Sequence, residues 1–528
     1  MTPAAPDPRL PPGAAKLTRR VFCAGGAVLA ASALLPQRAF AVARWSPVDP
    51  FTLGVASGDP SPDGFVVWTR LAPQPLEPGG GLPAVNIAVG WEVAEDEAMT
   101  RIVRRGTATA APEWAHSVHV EVAGLRADRW YWYRFAAGGA ASPVGRARTL
   151  PSAGILAARL RFAFASCQKY QVGYYTAYEH MVREDLDLIV FLGDYIYEKG
   201  DADEAVRPHG LKEAITLDDY RLRYARYKTD PALQAAHAHA PWIATWDDHE
   251  VSNDYAGLFP QDPASASRER FLARRAAAYR AYYEHMPLRD SARPVGPDLP
   301  LYRRLEYGAL ATFHVLDTRQ YRSDQPAGPR RQPPGAQVLD PAASMLGAAQ
   351  RRWLFDGLAA SPTRWNVIAQ QVIMAPVDVS TAGHGPIVDV DKWAGYEHER
   401  REILRFMRDR HVANPVVITG DIHSNWANEL LSDFDDPSAP PVAVEFIGTS
   451  ITSIGHGVER PEELAALLRR NPFVKFLNNQ RGYVRCEVTP AEWRTDYRTI
   501  ADVTHPGGAL HTSASFRIAA GGSRLQKI

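Results

Sequence analysis

The sequence has no excess of charge of either sign. Its 59 Lys and Arg residues balance 59 Asp and Glu residues, so it lacks the basic composition that binds nucleic acid or an anionic membrane, and we expect no nucleic-acid partner. Hydrophobic residues make up 46% and charged residues 22% of the chain, values typical of soluble globular proteins rather than disordered or fibrous ones. At roughly 150 residues per domain, 528 residues suffice for several domains.

The N-terminal apolar run, Phe22–Leu35, is shorter than the roughly 20 residues that a membrane-spanning helix needs. It follows Arg19-Arg20 and precedes Ala39-Phe40-Ala41, a small-residue cleavage pattern. This order is typical of a secretory signal, and the arginine pair resembles the twin-arginine signal that exports folded bacterial proteins. We therefore predict a twin-arginine signal peptide over residues 1–41, the twin-arginine export machinery as a partner, no permanent membrane anchor, and a periplasmic or secreted protein.

Cysteine is scarce. Of Cys23, Cys167 and Cys486, cleavage after Ala41 would leave the last two. In an oxidising compartment two cysteines favour a disulfide. However, Cys167 lies among polar residues whereas Cys486 lies in an apparent strand without such neighbours, so a metal-ligand role for Cys167 is the alternative.

Short strands separated by turn residues fill the region from residue 45 to residue 150, and they alternate apolar and polar positions. The pattern predicts an antiparallel β-sandwich. Leu125 followed by Trp130-Tyr-Trp-Tyr133 resembles the late strands of fibronectin type III-like domains, so we predict a small domain of that kind and assign it no chemistry. Its predicted strands are Phe65–Trp68, Ile87–Trp91, Ser117–Val122 and Arg129–Phe135.

From residue 155 to residue 528, apolar strands alternate with helical segments, which predicts an α/β domain. A segment rich in Pro, Gly and Gln, Asp324–Pro341, predicts a long surface loop. The predicted strands are Leu160–Ala165, Leu186–Leu192, Trp242–Thr245, Ala311–Leu316, Trp365–Ala369 and Pro415–Thr419. The main predicted helices are Gly173–Arg183, Ser267–Tyr283, Gly347–Leu358 and Tyr396–Arg408.

Polar residues follow five of these strands directly. In open α/β sheets ligands bind at the carboxyl ends of strands, although a single Asp there is ordinarily a turn residue or a helix cap. Several carboxylates at one end of one sheet repel each other unless cations compensate them, so the pattern predicts a multinuclear metal site. The five segments are Ser166-Cys167-Gln168, Asp194-Tyr-Ile-Tyr197-Glu198, Asp247-Asp248-His249-Glu250, Asp317-Thr-Arg319 and Asp421-Ile-His423.

The residue types limit the choice of metal. Four aspartates offer hard oxygen donors suited to Ca²⁺, Mg²⁺ or Mn²⁺, whereas a thiol, a phenol and an imidazole are softer or more strongly donating. A phenolate together with a thiolate favours trivalent iron over Zn²⁺. A packed aromatic is the alternative for the tyrosine. The candidate metal ligands are Cys167, Asp194, Tyr197, Asp247, Asp248, Asp421 and His423.

Six motifs occur in order: Ser166-Cys167-Gln168, Gly193-Asp194-Tyr-Ile-Tyr197-Glu, Trp246-Asp-Asp-His-Glu250, Asp317-Thr-Arg-Gln-Tyr-Arg322, Ala369-Gln-Gln371 and Gly420-Asp-Ile-His423-Ser-Asn-Trp426. Together they resemble the PhoD-type alkaline phosphatases and phosphodiesterases, a branch of the calcineurin-like metallophosphoesterases. The resemblance implies an α/β/β/α sandwich preceded by the small β-sandwich domain, with residues 155–528 as the PhoD-like metallophosphatase domain. It also implies one Fe³⁺ and two Ca²⁺ ions. Iron would be held by Cys167, Asp194, Tyr197 and His423, and calcium by Asp194, Asp248, Asp421 and Asp247.

By the same resemblance, the chain would hydrolyse small phosphate esters with metal-activated water and without a Ser or Thr nucleophile. His249 would stabilise the transition state or protonate the leaving oxygen, with a structural hydrogen bond as the alternative. We further predict Arg319 to be a phosphate clamp, because its planar fork of donors matches a phosphate, with a surface ion pair as the alternative. Two other functions stay open: a phospholipase D-like phosphodiesterase of lipid or cell-wall diesters, and a non-enzymatic calcium-dependent exported binding module.

Overall fold

The computed structural model describes residues 49–202, 204–262, 264–381, 384–436, 438–454 and 461–528. The predicted signal peptide, with Arg19, Arg20 and Cys23, lies outside these residues. No helix within the described ranges has both the length and the apolar content that crossing a bilayer requires.

The strands in the described ranges are β1 Val55–Ser61, β2 Gly64–Arg70, β3 Ile87–Ala94, β4 Ile102–Ala110, β5 Ser117–Val122, β6 Trp130–Ala137, β7 Ala140–Ala141, β8 Gly145–Arg148, β9 Leu160–Ala165, β10 Leu188–Leu192, β11 Trp242–Thr245, β12 Arg303–Tyr307, β13 Ala311–Val315, β14 Arg331–Gln332, β15 Trp365–Ala369, β16 Val388–Asp389, β17 Pro415–Thr419, β18 Asn425–Leu431, β19 Pro441–Ile447, β20 Val474–Asn478, β21 Arg481–Val488, β22 Glu492–Ile500, β23 Leu510–Ala519 and β24 Gln526–Lys527. The α-helices are α1 Thr176–Met181, α2 Leu217–Lys228, α3 Pro231–His239, α4 Arg268–His285, α5 Gly347–Ala360, α6 Glu397–Asp409 and α7 Pro461–Arg470.

The first large sheet has the strand order β24-β23-β22-β21-β9-β10-β11-β1-β2-β5. Its centre is parallel, because Ile189 of β10 is paired with Ala163 of β9 on one side and with Trp242 of β11 on the other. Antiparallel β21 borders β9, so the C-terminal strands extend this sheet. The ends of β9, β10 and β11 therefore lie side by side at one edge.

The second large sheet has the order β12-β13-β15-β17-β19-β18-β20 and is parallel from β13 to β19. It packs face to face on the first sheet through a shared apolar core, in which the rings of Phe162 and Phe313 meet edge to face with centroids 5.3 Å apart. The outer face of the first sheet packs against α1–α4 and that of the second against α5 and α6. The predicted α/β/β/α sandwich is confirmed.

The five strands that precede the polar motifs belong to two sheets, so the prediction that they share one sheet is wrong. β9, β10 and β11 lie in the first sheet, whereas β13 and β17 lie in the second. Each sheet is covered by helices on one face and by the other sheet on the opposite face. Strands buried on both faces appear in sequence as continuous apolar runs, which carry no signal of sheet membership.

A smaller sheet built from β3, β4, β6, β7 and β8 packs against β1, β2 and β5 and completes the predicted N-terminal sandwich. Unexpectedly, β1 also pairs in parallel with β11, where Gly58 lies opposite Trp242. One face of the sandwich is thus a continuation of the first large sheet. The boundaries at residues 45–150 and 155–528 stay predictions.

The predicted helix Gly173–Arg183 is wrong in its first turn, since α1 begins only at Thr176. Gly173 is extended, and the N–H of Tyr174 donates to the carbonyl of Val503 at 2.6 Å instead of joining a helix. The contact comes from a segment more than 300 residues away, which local periodicity does not report.

Candidate metal centre

Four of the predicted ligands have left-handed backbone conformations at strand ends. The φ angles are 58° for Cys167, 57° for Asp194, 67° for Asp421 and 55° for His423. Non-glycine residues rarely adopt this region, at a cost of roughly 1–2 kcal/mol relative to the right-handed form. Glycine would adopt these turns with less strain, so the presence of Cys, Asp and His indicates that their side chains have a role. Backbone strain of this kind is typical of functional sites.

The loops after β9, β10 and β11 are held together by backbone hydrogen bonds and by one buried carboxylate. Glu250 accepts the N–H groups of Asp194 at 3.1 Å and of Asp247 at 2.8 Å. Cys167 N–H donates to the carbonyl of Gly193 at 3.0 Å. Gly193 has a φ of 106°, and a Cβ there would lie 2.5 Å from Asp247, so only glycine allows these loops to approach so closely.

The structure brings all seven predicted metal ligands together from both sheets. Ligand atoms of Cys167, Asp194 and His423 lie within 4.8 Å of one another, and so do those of Asp194, Asp248 and His249 and those of Asp247, Asp248 and Asp421. Tyr197 joins the first group, since its hydroxyl is 2.8 Å from Asp194 Oδ2 and 3.2 Å from His423 Nε2. Asp194 and Asp248 each belong to two groups, as expected for ligands shared between neighbouring ions.

The electrostatics of these carboxylates fit bound cations. Burial raises the pKa of Asp194 well above its ordinary range, and the carboxylates of Asp248 and Asp247 raise it further against the opposing effect of His249. Burial also raises the pKa of Asp247 to about 8, although Arg319 opposes it. Among the described residues, Asp247 Oδ2 has no hydrogen-bond partner despite being buried. A buried oxygen acceptor without a donor, next to other carboxylates, matches the coordination that hard cations prefer.

The ring of His249 is held from one side by a residue to which the sequence analysis gave no role. Its Nδ1 lies 2.6 Å from Glu198 Oε2, while Glu198 Oε1 accepts the N–H of Asn253 at 3.0 Å. Burial by itself would lower the pKa of His249, but Glu198, followed by Asp194 and Asp248, holds that pKa well above its ordinary value. Glu198 therefore fixes the ring and leaves Nε2 for the cavity.

Arg319 lies behind the carboxylates and not at the surface. It is fully buried; its Nε donates to Asp247 Oδ1 at 2.5 Å, and its two terminal nitrogens donate to Asp391 at 2.9 and 3.0 Å. The surface ion-pair alternative is therefore wrong. The phosphate clamp stays a prediction, but the guanidinium is already engaged by two carboxylates in this structure.

Other charged groups around the site were missed, because they lie far along the loops that follow the predicted strands Ala311–Leu316 and Trp365–Ala369 and not at the strand ends. Lys392 Nζ is 2.6 Å from Asp421 Oδ2 and 3.1 Å from Asp391 Oδ2. Arg330, within the predicted loop Asp324–Pro341, donates to both carboxylate oxygens of Asp254 at 2.9 Å. Only the tertiary structure brings these cations to the site.

The site opens into a cavity of about 460 Å³, a size that suits a small ligand. Cys167, Tyr197, Asp247 and Arg319 are not among its lining residues and lie deeper. The lining residues include Asp194, Asp248, His249, Asn253, Asp254, Arg330, Asp389, Asp421 and His423.

The two cysteines of the described chain are free, so the disulfide alternative is not borne out. Cys486 lies in the apolar core between the sheets, with Sγ 3.7 Å from Thr495 Oγ1. Cys167 lies at the candidate metal centre, where burial raises the pKa of its thiol, and the Asp194 carboxylate raises it further.

Comparison with known proteins agrees with this geometry. The sequence profile of PhoD-like phosphatases matches residues 162–497, and the profile of the PhoD-like phosphatase N-terminal domain matches residues 37–151. The chain belongs to the PhoD-like phosphatase family. Alkaline phosphatase D of Bacillus subtilis (strain 168) is 51% identical to it over 472 residues, which cover 88% of this chain and 80% of that protein.

A solved structure described as that of PhoD superposes with a TM-score of 0.88 at 49% identity, covering 92% of this chain and 93% of the other. This PhoD-like phosphatase is thus an enzyme that hydrolyses phosphate esters. The alternative of a non-enzymatic binding module is wrong.

Proposed function

We propose that this phosphatase is an exported hydrolase of small phosphate esters whose centre holds one Fe³⁺ and two Ca²⁺ ions. The observation that carries the proposal is the overlap of three groups of ligand atoms through Asp194 and Asp248. Ions that lie within a few ångströms of one another share ligands of this kind, because a carboxylate between two ions can offer one oxygen to each.

Iron is assigned to the group of Cys167, Asp194, Tyr197 and His423. A thiolate and a phenolate next to each other are strongly donating anionic ligands, which suit Fe³⁺ better than Ca²⁺. Ser453 supports this assignment, because its Oγ lies 2.6 Å from Tyr197 Oη and 2.9 Å from the Cys167 carbonyl oxygen, and so keeps the two ligands close together.

Calcium is assigned to the aspartate groups that contain Asp194, Asp247, Asp248 and Asp421. These groups offer only oxygen apart from His249, and Ca²⁺ prefers oxygen donors. The ammonium group of Lys392, which is 2.6 Å from Asp421, already neutralises part of the negative charge of these carboxylates, and bound calcium would neutralise the rest.

When bound, the ions supply Lewis acidity and a water of lowered pKa. The chain supplies the positioning: Glu250 fixes the loops that carry Asp194 and Asp247, and Glu198 orients His249. With Nδ1 engaged by Glu198, the Nε2 of His249 is the atom that hydrogen-bonds or protonates the departing oxygen of the ester.

The metal assignment is tested by elemental analysis and the visible absorption spectrum of the purified enzyme. We expect about one iron and two calcium ions per chain, with a phenolate-to-iron band that Tyr197→Phe abolishes. Tyr195→Phe is the matched control, because the buried Tyr195 hydroxyl bonds His237 at 2.8 Å rather than a predicted ligand. Zinc in place of iron, or a band that survives Tyr197→Phe, would contradict the assignment.

Export is tested separately. Replacing both Arg19 and Arg20 by lysine is expected to keep the enzyme in the cytoplasm, because the twin-arginine route depends on the arginine pair. Normal export of this variant would contradict the proposed route. The rates on a simple monoester and a simple diester, compared on the same preparation, distinguish a phosphomonoesterase from the phospholipase D-like alternative.

A further inference from the structure

A second cavity adjoins the metal centre and differs from it in polarity. It has a volume of about 630 Å³, and ten of its sixteen lining residues are apolar. Four residues, Arg331, Asp389, Ile422 and His423, line both cavities and form a shared wall. We call this space the apolar cavity; its characteristic residues are Ile373, Val377, Trp426, Ile454, Leu467 and Leu477.

The polar residues of the apolar cavity lie mainly on the side of the metal centre. Arg331, Asp389 and His423 belong to the shared wall, and Lys392 is ion-paired with Asp421. We call the cavity at the metal centre, which is lined mainly by charged residues, the charged cavity. A phosphoryl group bound there would have charged residues around it, and a substituent that extends past the shared wall would contact mostly carbon atoms.

Trp426 contributes carbon surface to this cavity, because its polar atom is already used. Its indole N–H donates to Ser424 Oγ at 2.7 Å, and Ser424 donates in turn to the carbonyl of Ile422 at 3.1 Å. The two polar groups thus satisfy each other and the backbone instead of marking a polar ligand subsite.

Ile454 lines the apolar cavity beside the shared wall. Its carbonyl lies 2.8 Å from Nδ1 of His423, while its side chain is 63% exposed. Apolar side chains that stay exposed beside a concave, largely apolar space are typical of ligand-binding sites. The same residue therefore orients a predicted metal ligand and leaves apolar surface next to it.

We propose that the apolar cavity receives the alcohol moiety of the substrate, so that the enzyme prefers phosphate esters of apolar alcohols. The inference rests on the proposed function, since it places the phosphoryl group in the charged cavity. An alkyl or aryl group on that phosphoryl group then leaves water on the far side of the shared wall, and burial of this apolar area strengthens binding.

Isothermal titration calorimetry of the metal-replete enzyme with ethyl-, butyl- and hexylphosphonate tests the proposal, because their carbon–phosphorus bonds resist hydrolysis. We expect the dissociation constant to fall by up to about fourfold for each added methylene group. A dissociation constant independent of chain length would overturn the inference. Hydrolysis of ethyl phosphate, measured on the same preparation, shows independently whether the proposed function stands.

Two neighbouring residues on α7 provide matched variants. Leu467 and Leu468 are both half-buried, but only Leu467 lines the apolar cavity. Leu467→Asn is expected to reduce the gain in affinity from ethyl- to hexylphosphonate several-fold, whereas Leu468→Asn leaves it unchanged. Leu468→Asn, which lies outside the cavity, should hydrolyse ethyl phosphate at the original rate.

Leu477→Asn repeats the test on β20, so that a folding defect in α7 does not decide the result. It should weaken hexylphosphonate binding and spare ethylphosphonate binding. If Leu467→Asn and Leu477→Asn both keep the original dependence on chain length, the alkyl group binds elsewhere and the proposal is wrong.

Discussion

The space between the two large sheets has two regions with opposite character. Along most of their length the sheets meet through an apolar core that contains Phe162, Phe313 and Cys486. At the carboxyl ends of β10, β11 and β17, the same sheets bring together Asp194, Asp247, Asp421 and their partners.

The two buried cysteines show what the difference means. Cys486 behaves as a small apolar residue in the core, whereas Cys167 has a left-handed backbone beside carboxylates. The core stabilises the fold by burying carbon, and the strand ends use that stability to hold like charges close together. The predictions below change one region at a time.

The largest expected effect is on activity, and it comes from a comparison of two buried aspartates that lie at opposite ends of β10. Asp194→Asn should lower kcat/KM at least about a thousandfold, since metal ions contribute several kcal/mol to transition-state stabilisation. Asp187→Asn, at the opposite end of the strand, removes a buried carboxylate that is ion-paired with Arg148, and should leave kcat/KM nearly unchanged. Steady-state kinetics on a simple phosphate ester decide; equal losses in both variants would contradict the assigned site.

Arg319 comes next, and here the expected effect is on stability. Arg319→Gln should lower the free energy of unfolding by about 3–5 kcal/mol, because it leaves buried Asp247 without its cation and removes one of the three cations that neutralise buried Asp391. Arg330→Gln, whose side chain is 44% exposed, should cost less than about 1 kcal/mol. Urea unfolding of both variants measures this order; a raised KM without loss of stability in Arg319→Gln would support the clamp instead.

Glu198→Gln is expected to lower kcat about 10- to 100-fold without changing KM. Proton transfer from a positioned side chain contributes roughly 10²–10⁴-fold, and here the His249 ring is misplaced rather than removed. Glu445→Gln is the control, because this buried carboxylate on β19 accepts the backbone N–H groups of Met374 and Ala375 in the loop after β15. An equal fall in kcat for both variants would mean that the effect is structural.

The smallest effect is expected in the core. Cys486→Ala should cost about 1 kcal/mol of unfolding free energy, the value of a small buried apolar group, and leave the metal content unchanged. Cys167→Ser should remove iron with little change in core packing. Elemental analysis of both variants measures the iron content, and loss of iron in Cys486→Ala would contradict the prediction that, of the two cysteines, only Cys167 binds it.

Much of the fold could be predicted because it is encoded locally. β9, β11, β15 and β17 begin and end where the sequence predicted, since each is a short apolar run bounded by turn or polar residues. α4 begins after Ser267, whose hydroxyl caps the helix, and this signal is also local. The candidate ligands followed from their positions directly after these strands.

The remainder depends on contacts between distant segments. The parallel pairing of β1 with β11, the start of α1 after the contact of Tyr174 with Val503, and the burial of Arg319 behind Asp391 have no local signal. Charged residues such as Lys392 look like solvated surface in the sequence and become buried partners only when two loops meet.

The sequence by itself determined which donors the enzyme has and where the strands that carry them end, because hydrophobic periodicity and turn chemistry act over a few residues. Only the tertiary structure decided that two sheets supply the site, which cations lie beside its carboxylates, and that an apolar cavity adjoins it. These features arise from long-range packing, because the burial of apolar area fixes the relative positions of elements that are far apart in the sequence.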